Sequence, residues 1–224
     1  MGSPRAVFNS RYRGGAARAS RSAMPRLHVD RPGAFSAAEC DRLIALAQAS
    51  GLAPAPIYGG PDYVPADRVR RAAVSMQSRG EATAWLFERL DALLEEAGAE
   101  LGAAVAPMVE PVQILRYAPG DHFQAWHSDA GADRHGERLL SVSVELSELG
   151  AYEGGDLEII PDTIGRTRTL PRGGARIFLS RALHRVTPVR SGTRWALVNW
   201  TPPAPADRRS GPAGARGTSA PRAG

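Results

Sequence analysis

The sequence predicts a mainly β fold, a double-stranded β-helix (jelly roll) with two N-terminal helices packed on one sheet. Three observations carry that expectation. Beyond Pro107 the apolar spacing changes from a period of 3.6 to a period of 2. Eight short strand-like segments then follow, separated by turn signals such as Pro119-Gly120, Gly154-Gly155, Gly173-Gly174 and Ser191-Gly192. Ahead of the change lie two stretches whose apolar residues fall on one helical face. Many short strands with glycine-rich turns are the pattern of a double-sheet jelly roll.

Taken in order, Leu27–Val29 reads as a first strand. Ser36-Ala37-Ala38-Glu39 is a capping-box pattern, and Cys40, Leu43, Ile44 and Ala47 follow at one-face helical spacing. Gly51 closes that helix. Pro54–Pro65 is a loop long enough to line a site, and Val69–Gln77 reads as a strand. Glu81–Leu101 is a second amphipathic helix, burying Trp85, Leu86, Leu90, Leu93, Leu94 and Ala97. The later strands are expected at Val112–Tyr117, Phe123–Asp129, Leu139–Leu146, Asp156–Ile160, Arg168–Leu170, Ala175–Leu179, Ala182–Pro188 and Arg194–Trp200. The last two are expected to pair as a hairpin across Val189–Thr193. There are no internal repeats.

At 224 residues the chain suits one domain. Its expected organisation is a basic leader (1–26), a helical support region (27–104), a jelly-roll core (105–204) and a tail (205–224). Leader and tail are expected to be disordered from their Arg, Gly, Pro, Ala and Ser content. The methionine at 24 offers an alternative start to Met1. All 28 basic residues are arginine. The six in residues 1–26 and the net three positive charges of 207–224 exceed the chain's total of +5, so residues 27–206 carry a net −4. The basicity therefore belongs to the ends, which disfavours nucleic acid as a partner. The lone cysteine, Cys40, excludes an internal disulfide framework and fits a reducing, cytoplasmic setting. No apolar run approaches the roughly 18 residues of a membrane span. Oligomeric state is not legible.

The informative constellation is His127-Ser128-Asp129, followed by His184 and Arg194. Residues i and i+2 of a strand face the same way, so an H-x-D pair presents two ligands from one short segment. A distant histidine completes a two-His, one-carboxylate set, which occupies one face of an octahedral metal and leaves three positions open. Non-haem Fe(II) oxygenases use such positions for a bidentate cosubstrate and O2. Arg194 adds a cation suited to gripping a carboxylate through paired hydrogen bonds, and the expected hairpin would put it on the strand beside His184.

Four segments carry a resemblance: Gln113–Gly120, His127–Asp129, Tyr152–Leu157 and His184–Val189 with Gly192–Trp195. Together they resemble the 2-oxoglutarate/Fe(II)-dependent oxygenases, and most closely the bacterial prolyl-4-hydroxylase-like hydroxylases, over Val112 to about Pro203. The resemblance implies that His127, Asp129 and His184 bind iron, and that Arg194, ten residues past the distal histidine, binds the far carboxylate of 2-oxoglutarate. Tyr117 matches a tyrosine that shares this carboxylate in some members, although many members have one residue fewer between it and the first ligand; a core aromatic is the competing reading. Fe(II), 2-oxoglutarate and O2 are the implied cofactors, with ascorbate as reductant. The implied reaction hydroxylates a peptide, amino acid or small metabolite and releases succinate and CO2. Asp129 favours hydroxylation over halogenation, because related halogenases lack the carboxylate. Nucleic-acid demethylation uses the same chemistry, but those enzymes carry a further arginine where this chain has Trp200. A non-catalytic jelly-roll domain would be marked by a lost ligand, and none is lost.

Several residues read as bystanders. Arg190 belongs to the expected turn and faces solvent. His122 and His135 sit beside turn residues and read as exposed, and His28 reads as structural. Trp126, Trp195 and Trp200 read as packing residues. Gly154-Gly155 marks a bulge or a close backbone approach, and Cys40 reads as an inert core thiol.

Overall fold

The computed structural model describes residues 27–56, 66–130, 137–160 and 169–205. The leader, nearly all of the tail, most of the Pro54–Pro65 and Ala130–Glu137 loops, His135 and Arg168 lie outside them.

The chain is mainly β with antiparallel sheets. In order, the elements are β1 (His28–Arg31), α1 (Ala37–Ser50), β2 (Ala53–Pro54), α2 (Ala66–Val69), β3 (Ala73–Gln77), a 3-10 turn (Glu81–Thr83), α3 (Ala84–Leu101), β4 (Val112–Tyr117), β5 (Phe123–His127), β6 (Leu140–Glu145), β7 (Tyr152–Gly154), β8 (Leu157–Ile159), β9 (Ala175–Leu179), β10 (His184–Val186), β11 (Val189–Gly192) and β12 (Arg194–Thr201). A seven-stranded sheet runs β1-β9-β6-β12-β4-β3-β2, a three-stranded sheet β5-β10-β8, and a two-stranded ribbon β11-β7.

The large sheet has two chemically different faces, because successive side chains of a strand alternate. Val29, Ile114, Val142, Ile177 and Leu197 share one buried cluster with Cys40 and Leu43 of α1 and Leu86, Leu90 and Leu94 of α3. The alternate positions hold Gln113, Ser141, Glu145, Arg176 and Arg194, all buried, and the half-buried Ser143. Six polar side chains on an inward face is not how a sheet packs a core, and it marks where chemistry can reside.

The capping box is formed as the sequence predicts. The Glu39 N–H donates to the Ser36 hydroxyl at 3.2 Å, and the Ser36 N–H donates to the Glu39 carboxylate at 2.8 Å. That backbone bond, against a smaller effect of burial, holds the Glu39 pKa below its ordinary value. Its contribution is therefore present above the ordinary carboxylate pKa and is lost as pH falls below it. Ser36→Ala is expected to lower unfolding stability by about 1 kcal/mol, measured by urea denaturation. The second long helix ends on Gly102, whose φ of 67° is left-handed.

Three strand expectations are corrected. Val69–Gln77 is divided, with Val69 ending α2 and the chain joining the sheet only at Ala73. Thr169 and Leu170 form no strand; they run into Pro171, which has no N–H for a ladder. The expected hairpin between the last two strands does not form. Residues 189–192 are themselves a strand, β11, paired with β7. β10 instead pairs with β5 and β8, and β12 pairs with β4 and β6. The segment expected as a turn thus carries the chain from the small sheet to the large one. Gly154 permits the β11–β7 ribbon: its φ is 75°, and a Cβ there would collide with the Pro188 carbonyl.

Candidate metal centre

His127 ends β5 and His184 begins β10, directly opposite each other in the small sheet. Asp129 lies two residues past His127 but outside the strand, its N–H donating to the Ser180 carbonyl at 2.9 Å. The alternation of a strand is therefore not what aims Asp129 at the histidines; the bond to the turn after β9 is. One ligand atom from each residue lies within 4.8 Å of the others. The nearer imidazole Nε2, that of His184, is 3.3 Å from Asp129 Oδ2, and that of His127 is 4.0 Å from Oδ1.

Both rings are oriented by the backbone. His127 Nδ1 bonds the Ala125 carbonyl at 2.9 Å, and His184 Nδ1 bonds the Ala182 carbonyl at 3.0 Å. A carbonyl only accepts, so each Nδ1 carries a proton, which leaves Nε2 of each ring as the atom available to the shared space. Burial, reinforced by the neighbouring His184, pushes the His127 pKa down to about 4. Its imidazole is therefore neutral near pH 7, as a ligand must be.

Asp129 is ionised. Burial opposes its charge, but His184, His127 and hydrogen bonds from Ser141 and Trp200 together hold its pKa below the usual value. The Ser141 hydroxyl donates to Oδ2 at 2.7 Å and sits 2.9 Å from the Ser180 hydroxyl. Two imidazoles and a carboxylate around one space fit a divalent first-row metal. Trp200 is thus more than the packing residue its sequence context suggests. Trp200→Phe removes the indole N–H and is expected to weaken metal binding about 10–100-fold. A Co(II) titration measures this, and an unchanged affinity would show that the indole bond plays no part.

Arg194 starts β12, on the large sheet rather than beside His184, and is 4% exposed. Its Nε donates to Glu145 Oε2 at 3.0 Å, and the Tyr152 hydroxyl donates to the same oxygen at 3.0 Å. Tyr117 is its cross-strand partner, with the guanidinium 5.5 Å from the ring centroid. Burial works against the Arg194 charge, but Glu145 and the two tyrosines outweigh it and raise the pKa above its ordinary value. Tyr152 is pushed up to about 12, by burial first, and stays a neutral donor. Ser143, Glu145, Tyr152, Thr169, Arg176 and Arg194 line a small cavity here. Its lining reaches Ser143, one same-face position along β6 from the Ser141 that bonds Asp129. Strand β6 therefore links the cavity to the histidine–aspartate cluster.

Arg190 lies in β11 and is exposed, as expected of it, though on a strand and not in a turn. His122 is buried, contrary to expectation, because it pairs with Arg71 in an isolated bridge. It takes no part in the cluster. Sequence reasoning missed Glu145, Ser141 and Tyr152 as site residues. A charged residue at the end of the apolar alternation Leu140–Leu146 was the available signal for Glu145.

No protein-family model matches the chain. Its curated relatives are PKHD-type hydroxylases. One from a Synechococcus species is 36% identical over 97 residues, 43% of each chain. Another, from Klebsiella pneumoniae, is 32% identical over 139 residues, 58% of this chain and 61% of the relative. The matches thus span about half the length of those relatives. Among solved structures, a Pseudomonas putida prolyl-4-hydroxylase superposes with a TM-score of 0.63 at 20% identity, covering 80% of this chain and 93% of that one. A Trichoplax adhaerens prolyl hydroxylase, solved with a hypoxia-inducible-factor peptide fragment, gives 0.63 at 17%, covering 79% and 83%. A Burkholderia pseudomallei oxidoreductase of the 2OG-Fe(II) oxygenase family gives 0.54 at 20%, covering 78% and 84%. The fold is that of the 2-oxoglutarate/Fe(II) oxygenases. In sequence the chain is a relative of the PKHD-type hydroxylases.

Proposed function

We propose that the chain is a 2-oxoglutarate- and Fe(II)-dependent dioxygenase that hydroxylates a peptide, amino acid or small metabolite and releases succinate and CO2. The observation that carries this is the cluster of His127, Asp129 and His184, with both Nδ1 atoms held by backbone carbonyls. These three residues would hold the iron through one face and leave the opposite positions for cosubstrate and O2. When bound, iron supplies the oxidative decarboxylation of 2-oxoglutarate coupled to replacement of a substrate hydrogen by hydroxyl. Ascorbate keeps the iron reduced in this reading.

Arg194 binds the distal carboxylate of 2-oxoglutarate. Its Nε is engaged by Glu145, which leaves the two terminal nitrogens of the guanidinium for a second carboxylate. Tyr117, the cross-strand neighbour of Arg194 with its ring centroid 5.5 Å from the guanidinium, stands beside that group as a second candidate partner of the carboxylate. The architecture in this reading is a jelly roll whose core spans 105–204. The helices of the 27–104 region support its large sheet from outside. A peptide substrate is favoured by the peptide complex of the Trichoplax enzyme.

Anaerobic titration with Fe(II) and 2-oxoglutarate tests the reading. A weak visible charge-transfer band is expected only when both are present. Folded protein that gives no band with either order of addition would overturn it. Succinate release across a peptide and metabolite panel then identifies the substrate.

A further inference from the structure

Arg70 lies between α2 and β3, and it is one of three buried arginines among the described residues. The other two have carboxylates: Arg176 makes a two-pronged pair with Asp30 at 2.7 Å on each prong, and Arg194 pairs with Glu145. Arg70 has none among the described residues. Its Nη1 donates to the Pro56 carbonyl and its Nη2 to Gln113 Oε1, both at 3.1 Å and both uncharged acceptors. Its Nε is buried without a partner. Of the five guanidinium N–H bonds, three are left undonated. A buried cation satisfied only by neutral groups is costly unless an anion completes it.

The position of Arg70 limits where such an anion would sit. The guanidinium stacks over Phe123, 5.0 Å from the ring centroid. Phe123 stacks in turn on the His127 ring at 3.6 Å and 15°. One aromatic ring therefore separates the Arg70 charge from a residue of the candidate metal centre. Its acceptor Gln113 lies on the inward, polar face of the large sheet, in the same cross-strand row as Ser143 and Arg176. The Arg194 end of the pocket already has its own cation, two tyrosines and a glutamate, so Arg70 is not needed there.

We propose that Arg70 anchors a carboxylate of the substrate to be hydroxylated, on the Phe123 side of the metal centre. The planar fork of a guanidinium matches a carboxylate through parallel N–H bonds, and the Phe123 ring gives the adjoining carbon skeleton an apolar surface. The substrate class is thus an organic acid, either a free amino acid or a peptide whose acidic group lies close to the hydroxylated carbon. This rests on the dioxygenase reading above and adds the substrate's charge to it.

The test uses full-length protein loaded with Co(II), which is paramagnetic and inert to turnover, and saturated with 2-oxoglutarate. The probes are 4-fluorobenzoate and 4-fluorobenzamide, followed by 19F line broadening. Benzoate is expected to broaden saturably and benzamide not to. Arg70→Gln is expected to weaken the benzoate effect about 10–100-fold, with partial recovery in Arg70→Lys. The Co(II) visible bands, and their response to 2-oxoglutarate, should be unchanged in both variants, which also shows that they fold. Equal broadening by the amide, no saturable broadening by benzoate, or full retention in Arg70→Gln overturns the proposal. So does loss of 2-oxoglutarate affinity in Arg70→Gln, which would assign the residue to the cosubstrate. Failure of the dioxygenase reading looks different: wild-type protein would take up no Co(II), or its bands would ignore 2-oxoglutarate.

Discussion

Arg194→Ala is expected to damage the protein in two separable ways. Arg194 and Glu145 are both nearly fully buried, with side chains 5% and 6% exposed and 3.0 Å apart. Removing the arginine strands the Glu145 carboxylate in the interior with only the Tyr152 hydroxyl as side-chain donor. Breaking one side of such a pair costs about 3–5 kcal/mol, a fall in melting temperature of roughly 6–20 °C for a domain of this size. Calorimetry reads that loss. The second effect tests the proposed cosubstrate role of Arg194: the KM for 2-oxoglutarate is expected to rise, because each charge-assisted bond to a carboxylate contributes about 1.5–3 kcal/mol. Adding Glu145→Gln to Arg194→Ala relieves the stranded charge, so it recovers stability without recovering cosubstrate affinity. If the double variant regained both, Arg194 would be a structural cation only.

Asp129→Ala is expected to abolish succinate release. The change leaves two imidazoles and no carboxylate in the cluster. Loss of a supporting hydrogen bond alone weakens metal binding by up to about 100-fold, and loss of the ligand itself weakens it further. The substitution also removes the acceptor of the Ser141 hydroxyl. A buried donor left unpaired costs about 1–3 kcal/mol, so part of the stability goes too. Circular dichroism separates that from unfolding, and Co(II) titration reads the metal loss directly. Turnover surviving in a folded Asp129→Ala protein would mean that the ligand assignment is wrong.

Much of the local structure is legible in the sequence. Strands β4 and β9 begin and end where the alternation of apolar residues places them, and the Ser36–Glu39 box opens α1. These features depend on neighbours within a few residues, and the chain records such neighbours directly. The motif around His127, Asp129 and His184 also points toward the PKHD-type hydroxylases, which the chain resembles over about half of their length. Strand pairing is what the sequence does not disclose. The stretch from Val189 to Thr193, which carries a glycine and no strong apolar alternation, reads as a turn between two strands, but its first four residues form β11. Reading it as a turn puts Arg194 on the wrong sheet. It also hides Glu145, whose partner lies 49 residues away.

The sequence by itself determined the mainly β character, the two helices and the types of donor available for a metal. It also located the chain's excess positive charge in the ends and not in residues 27–206. Only the tertiary structure decided which side chains complete which site: Ser141 and Trp200 on Asp129, Glu145 on Arg194, and, among the described residues, no carboxylate on Arg70. The physical reason lies in the sheet. A two-residue period tells which face a side chain takes, but not which strand lies alongside. That choice depends on register and on where the chain crosses between sheets, and both are set by contacts far apart in sequence.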